Sequence, residues 1–312
     1  MSKGEKKKNA QNAPIVQKHE EAARQKSPSA WMVLAREFKK DKVALFSLII
    51  FVLFIITVFV WAAFLDPKQV MRVDITRSFL PPGRDGFWLG TDRAGKSILG
   101  QLILGSRNSI MVGIAITALT TIIGIIMGLM AGYYGGKVDQ IILQIIDFIS
   151  IMPTLMIIIV FVSILPNYKI YHFILIMSGF YWVGVARLVR SKTLSEARRD
   201  YVNASKTMGT SDIKIMLFGI LPNIISIIIV QGVLSFAGNI GIETGLAFLG
   251  FGFPPDKGSL GTLISYARDS SVLQYKTYVW LPASLLIFFM MLSINYIGQA
   301  LRRASDAKQR LG

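Results

Sequence analysis

The sequence predicts an all-α polytopic membrane protein with six transmembrane helices. Three observations lead there. The 312 residues are 53% hydrophobic and only 17% charged, with a mean hydropathy of +0.52. Six apolar runs each approach the ~20 residues that cross a hydrocarbon core. Lys and Arg are distributed unevenly between the segments joining those runs.

Residues 1–42 form a basic tail. Its first part is polar and contains Pro14 and Pro28, a composition that cannot bury a core. Trp31, Leu34, Ala35 and Phe38 then recur at helical spacing, with Arg36, Lys39 and Lys40 on the other side. That predicts an interfacial amphipathic helix over about 30–40. The run at 43–65 is too long, and too far from the start, for a cleaved leader. It is expected to be the first transmembrane helix.

Residues 66–106 are expected to be extracytoplasmic. They hold the stretch Gly90-Thr91-Asp92-Arg93-Ala94-Gly95-Lys96-Ser97, which matches the phosphate-loop pattern. That mechanism needs a strand before the loop, a helix after it and a second acidic strand for magnesium. Only Phe87-Trp88-Leu89 precedes, so no nucleotide site is expected.

Residues 107–301 should form a five-helix core, with spans at 109–132, 141–165, 170–188, 223–248 and 278–300. The third contains Pro153 and the fifth several glycines, breaks that a bundle can accommodate. Charged side chains at a span's centre cost about 2.5–3.5 kcal/mol on insertion scales. Asp147 and Glu243 therefore stand out, with Pro153, Gln231 and Asn239 as companions on a candidate solute pathway. The competing reading is a carboxylate satisfied by a neighbouring helix.

The polar segment 189–222 lies between the fourth and fifth spans. Leu194, Ala197, Tyr201, Ala204 and Met208 fall on one helical face. The fourth span is thus expected to continue as an amphipathic helix to Met208. Gly209 can stop it in the left-handed conformation. Thr210 or Ser211 can cap a short second helix with Asp212 in its first turn. Pro222 should mark the return to the membrane. Such a segment can serve as a lever gripped by a partner, or lie on lipid headgroups; periodicity alone does not choose.

Residues 302–312 form a short basic tail. Eleven Lys and Arg lie in 1–42, one at Lys137, seven in 187–221 and four in 302–312, which makes 23 of 34. Cytoplasmic termini place all of these inside. The net charge of +16 then follows topology and anionic lipid, not nucleic acid. The chain has no cysteine, and His19 and His172 are far apart. No disulfide, metal site or cofactor is expected. No HExxH motif and no Ser–His pair at shared depth argue for catalysis.

Several segments resemble one family. Tyr201-Val202-Asn203-Ala204-Ser205, Gly209 and Ile220-Leu221-Pro222 resemble the cytoplasmic EAA loop of bacterial ABC importer permeases. Asn203 stands at the motif glutamate, Ser205 at its second alanine and Gly219 at an isoleucine. The stretch GFWLGTDRAGKSILGQLILGSRNSI is similar to the extracytoplasmic segment of dipeptide and oligopeptide permeases, with Lys96 and Ser97 where Arg and Asp are usual. ETGLAFLGFGFPP resembles EASLSFLGLGxxPP, and NYIGQALRRASD resembles NxxGDxLRDxxDP.

By these motifs the chain is identified as similar to the second permease of peptide-class ABC importers. The resemblance implies a type I importer (MetI-like) permease fold and a non-catalytic transport subunit. It also implies a homologous permease partner in a heterodimer, two cytoplasmic ATPases and an extracytoplasmic solute-binding protein. Tyr201, Asn203, Ala204, Ser205, Met208, Gly209, Thr210, Ser211 and Asp212 would meet the ATPase. Peptide, nickel and glutathione importers share these motifs. A proton-driven transporter using Asp147 and Glu243 would require inverted repeats, and none is visible. A membrane scaffold or sensor is the third reading.

Overall fold

The computed structural model describes residues 36, 38–254 and 257–311, with side chains as far as 306. Most of the expected amphipathic helix at 30–40 lies outside the described residues. Among those described no strand forms; Arg84 with Phe87 and Thr91 with Ser97 make isolated bridges.

Helix α1 spans Lys42–Phe64. Asp41 caps it, its carboxylate accepting from Val43 and Ala44 N–H at 3.0 Å each. Ala44, Ser47, Phe51, Val58 and Ala62 are buried on one stripe. That stripe packs on α2 (Ile98–Tyr134) and α11 (Thr277–Leu311).

Helix α2 has 37 residues, about 55 Å at 1.5 Å per residue. It therefore begins well before the expected 109, as a buried extension under the 66–97 segment. Its most extensive partner is α6 (Val183–Glu196). Gly124, Gly128 and Gly132 lie along the contact. A Cβ at each would stand 2.6 Å from the Cβ of Val185, Val189 and Thr193 respectively. Small residues every four positions let two membrane helices approach at backbone distance.

The third span is broken. Helix α3 covers Gly136–Ile151 and α4 covers Thr154–Ile164, and they meet at 78°. Met152 is extended (φ −68°, ψ 138°), as the residue before a proline prefers. The bundle does not restore a straight helix here. The fourth span bends too, by 42° between α5 (Ile170–Tyr181) and α6. There the Trp182 indole N–H donates to the Gly179 carbonyl at 3.0 Å, diverting it from the helix ladder. Helix α6 continues past the apolar run ending at 188 and stops at Glu196, short of the expected Met208.

The continuation to Met208 is also corrected. The chain leaves helix at Ala197–Arg199 and restarts as α7 (Asp200–Thr207). Helix α8 then runs from Asp212 to Leu249 without interruption. Pro222 does not punctuate it. A π-wound stretch, Ile215–Ile220, precedes the proline, and wider winding suits a residue that donates no N–H. The glycines of this span leave it unbroken.

Beyond α8, α9 (Leu260–Ser265) and α10 (Ser270–Tyr275) are short. The main core lies between α1, α2, α8, α9 and α11, around Phe51, Ile98, Ile110, Ile240, Leu260, Met290 and Ile294. Among the described residues, four helices are long and apolar enough to span a membrane; counting each bent pair as one span gives six.

Candidate functional site

The polar segment between α6 and α8 is a braced hairpin. Helix α7 ends in a paired closure: Gly209 N–H donates to Lys206 O at 2.9 Å, and Thr210 N–H to Ser205 O at 3.1 Å. This is the Schellman pattern, and Gly209 takes φ +77° within it. Nothing lies within 4 Å of where its Cβ would be, so backbone conformation alone requires glycine there. Ser211 occupies the N-cap of α8 but makes no side-chain cap bond.

Two tyrosines hold this hairpin. Tyr133, buried at the end of α2, donates to Asp212 Oδ1 at 2.7 Å. The Lys206 ammonium sits 4.4 Å from the centre of the same ring. Tyr201 donates to Glu196 Oε2 at 3.0 Å and accepts from Asn223 Nδ2 at 3.1 Å. Burial pushes the Tyr201 hydroxyl above its ordinary pKa, Asn223 opposes the shift and the Glu196 bond adds to it. Ser205 donates to Tyr201 O at 2.8 Å.

The face differs from the one the spacing predicts. Val202 is fully buried, while Asn203, Ala204 and Met208 are exposed. The break at 197–199 shifts the helical register, so Ala204 and Met208 turn outward while Ala197 and Tyr201 stay half-buried against the core. The hairpin and the first turns of α8 thus present Met208 (76% exposed), Ile213 (63%) and Phe218 (79%) beside Asn203 and Lys206. Sequence reasoning missed Tyr133, Val202 and Phe218. The break after Glu196 left no proline or glycine signal.

The five pathway candidates are not gathered into one lumen within this chain. Asp147 is exposed on α3 and accepts from Arg187 Nη2 at 2.8 Å. Pro153 forms the corner between α3 and α4. Gln231 lines a cleft of about 120 Å³ with Leu188, Leu234, Arg302 and Asp306. Asn239 is buried and donates to Thr117 Oγ1 at 2.9 Å. Glu243 is 2% exposed and accepts from Ser109 at 3.2 Å. Asn239 and Glu243 thus tie α8 to α2.

The 90–97 match has a different chemistry. Asp92 is fully buried, and its Oδ1 accepts the N–H of Ala94 at 2.8 Å and of Lys96 at 2.9 Å. Its Oδ2 accepts from Gln101 Nε2 at 2.9 Å and the Tyr266 hydroxyl at 3.0 Å. The carboxylate fills the concavity a phosphate would need. Ser97 caps α2 through Gly100 N–H at 3.3 Å, instead of facing a metal. Burial, then the Asp92 charge, raises the Tyr266 pKa. Among the described residues no cluster of acidic, histidine or cysteine side chains could hold a metal ion.

Residues 124–311 match the family model described as binding-protein-dependent transport system inner membrane component. Residues 29–82 match the N-terminal TM domain of oligopeptide transport permease C. The oligopeptide transport system permease protein OppC of Lactococcus lactis subsp. lactis is 44% identical over 276 residues, 88% of this chain and 94% of that one. The dipeptide transport system permease protein DppC of Bacillus subtilis is 34% identical over 301 residues, 94% and 91% of the two chains. OppC of Mycobacterium tuberculosis is 31% identical over 279 residues, 89% and 94%. These relatives are transport permeases, not catalytic enzymes. With its apolar helices, the chain is a multi-pass membrane protein of MetI-like permease fold. It belongs to the family of binding-protein-dependent transport system inner membrane components.

Proposed function

We propose that this chain is one of two homologous permeases in an ATP-driven peptide importer of the bacterial cell membrane. It would pair with its homologue around a shared pathway, receive peptide from an extracytoplasmic binding protein and couple to two cytoplasmic ATPases. Both termini and the 189–222 segment would be cytoplasmic. The permease relatives named for oligopeptides and dipeptides favour peptide over nickel or glutathione.

The observation that carries the coupling role is the braced hairpin. Tyr133 and Tyr201 tie α7 and the start of α8 to the ends of α2 and α6. Met208, Ile213 and Phe218 stay exposed. An apolar patch on a rigid mount suits a groove in a partner better than a free surface. When ATP binding closes the ATPases, force on the hairpin would reach α2, α6 and α8 as one body. A two-state bundle then alternates between inward-facing and outward-facing arrangements.

Co-purification with the ATPases, with uptake of labelled peptides by the assembled complex, tests this reading. Stable association and peptide uptake are expected. A chain that purifies alone, or a complex that moves nickel or glutathione but no peptide, contradicts it.

A further inference from the structure

We propose that Trp88, Arg84 and Lys276 form a phospholipid-headgroup site, which anchors the 66–97 segment at the membrane interface opposite Asp41 and Arg303. The two levels follow from α1 and α11, which pack together. Arg303 pairs with Asp41 at one level. From there α1 runs 23 residues to Phe64, and α11 covers the same rise back to Trp280. That rise is roughly 34 Å at 1.5 Å per residue, against a ~30 Å hydrocarbon core. Phe64 is 84% exposed, and Tyr278 stands just beyond Trp280. Aromatic side chains thus mark the second level, as they do at a membrane–water boundary.

The turn that carries Trp88 is fastened at that level. A Cβ on Gly90 would stand 3.1 Å from the Tyr278 ring, and the Tyr278 hydroxyl donates to Phe79 O at 2.9 Å. Leu80 N–H donates to the buried Thr91 hydroxyl at 2.8 Å. Within the turn, Gly83 N–H donates to Phe87 O at 2.8 Å and Phe87 N–H to Arg84 O at 2.9 Å. Leu89 packs on the main core, while its neighbour Trp88 is 81% exposed. A large aromatic side chain held this rigidly, with nothing in the chain to cover it, calls for an outside contact.

Charge at the turn names the contact. Arg84 is exposed and has no acidic partner among the described residues. The Lys276 ammonium lies 3.4 Å from the centre of the Phe79 ring, beside the start of α11. These two cations outweigh Asp85, the one acid in the turn. An indole sits well among headgroups, with its ring toward the acyl chains and its N–H toward water. The Arg84 guanidinium fits a lipid phosphate in a bidentate manner. Because the turn is ordered before contact, little ordering entropy opposes the binding.

The test replaces Trp88 with the photocrosslinker benzoylphenylalanine, an aromatic stand-in at an exposed site. The whole transporter is placed in nanodiscs of equal phosphatidylglycerol and phosphatidylcholine, irradiated, and this subunit is read by mass. Phospholipid adducts are expected, with phosphatidylglycerol favoured by at least about fivefold. Arg84→Gln combined with Lys276→Gln should bring that ratio to about one while lipid adducts persist. Absence of lipid adducts overturns the proposal, as does a ratio that the two substitutions leave unchanged. Adducts to another protein in place of lipid, with the solute-binding protein present or absent, overturn it too and make the turn a protein-docking surface. The outcome does not depend on which solute the transporter carries.

Discussion

The Tyr133 hydroxyl donates to the Asp212 carboxylate at 2.7 Å, joining the end of α2 to the first turn of α8. The ring also carries the Lys206 ammonium of α7. Three segments of the proposed coupling region thus meet at one side chain. Tyr133→Phe removes the bond to a charged acceptor and keeps the ring. The expected local loss is about 1–2 kcal/mol. Membrane levels should be normal, amide exchange over 203–213 faster and uptake several-fold lower. Unchanged exchange would show that the hairpin is held elsewhere.

Asp41, just before α1, and Arg303, late in α11, lie side by side. Arg303 pairs with Asp41, and Ser305 donates to Ser226 in the first half of α8. With the Lys and Arg distribution, this predicts that Lys206 and both termini face the cytoplasm. Single cysteines at 206 and 303 should react with impermeant thiol reagents only after cells are opened. Labelling of position 206 in intact cells contradicts the topology.

Asp92 and Lys96 should separate sharply. Lys96→Ala is expected to leave uptake and the complex's ATPase activity close to normal, because the Asp92 carboxylate already takes the loop's Ala94 and Lys96 N–H groups. Asp92→Ala strands four donors in a buried site. At 1–3 kcal/mol for each stranded group, it should destabilise by about 3 kcal/mol or more. Thermal unfolding of the purified complex and nucleotide binding by the Lys96 variant are the measurements. Loss of nucleotide binding on Lys96→Ala alone would revive the phosphate-loop reading.

Gly128→Leu drives a side chain into Val189, whose Cβ stands 2.6 Å from the new Cβ position. The α2–α6 seam cannot absorb it without separation. Low membrane levels and protease sensitivity are expected, with Gly179→Leu as control, since that site is open. Equal levels of the two variants would contradict the close approach.

Much of this was readable in the sequence, and the failures have particular causes. Six apolar runs locate the spans because bilayer thickness sets length. Gly209 was readable because a left-handed helix end selects glycine. The bend at Trp182 was not, since it depends on an indole bonding a carbonyl. The hairpin's face was misread because i, i+3, i+4 spacing assumes one continuous helix, and the break at Ala197–Arg199 moves Val202 inward and Met208 outward. Hydropathy marked Asp147 and Glu243 alike. Only packing separates them, one open beside Arg187 and the other enclosed beside Ser109.

The most direct test of the coupling role is association of ATPases with Ala204→Asp and Gly209→Val variants. Ala204 is exposed, so an added charge disturbs a partner's groove and not the fold. Gly209→Val forces a branched residue to φ +77°, costing about 1–2 kcal/mol of backbone strain. Asn203→Ala should be milder, because it only trims an exposed polar side chain. The measurement is the ratio of ATPase to permease in complexes purified from membranes, paired with peptide uptake. The account predicts normal permease levels, a several-fold lower ratio and little uptake for the two severe variants. A wild-type ratio and full uptake in both would contradict it, and would leave the hairpin as an anchor on lipid headgroups.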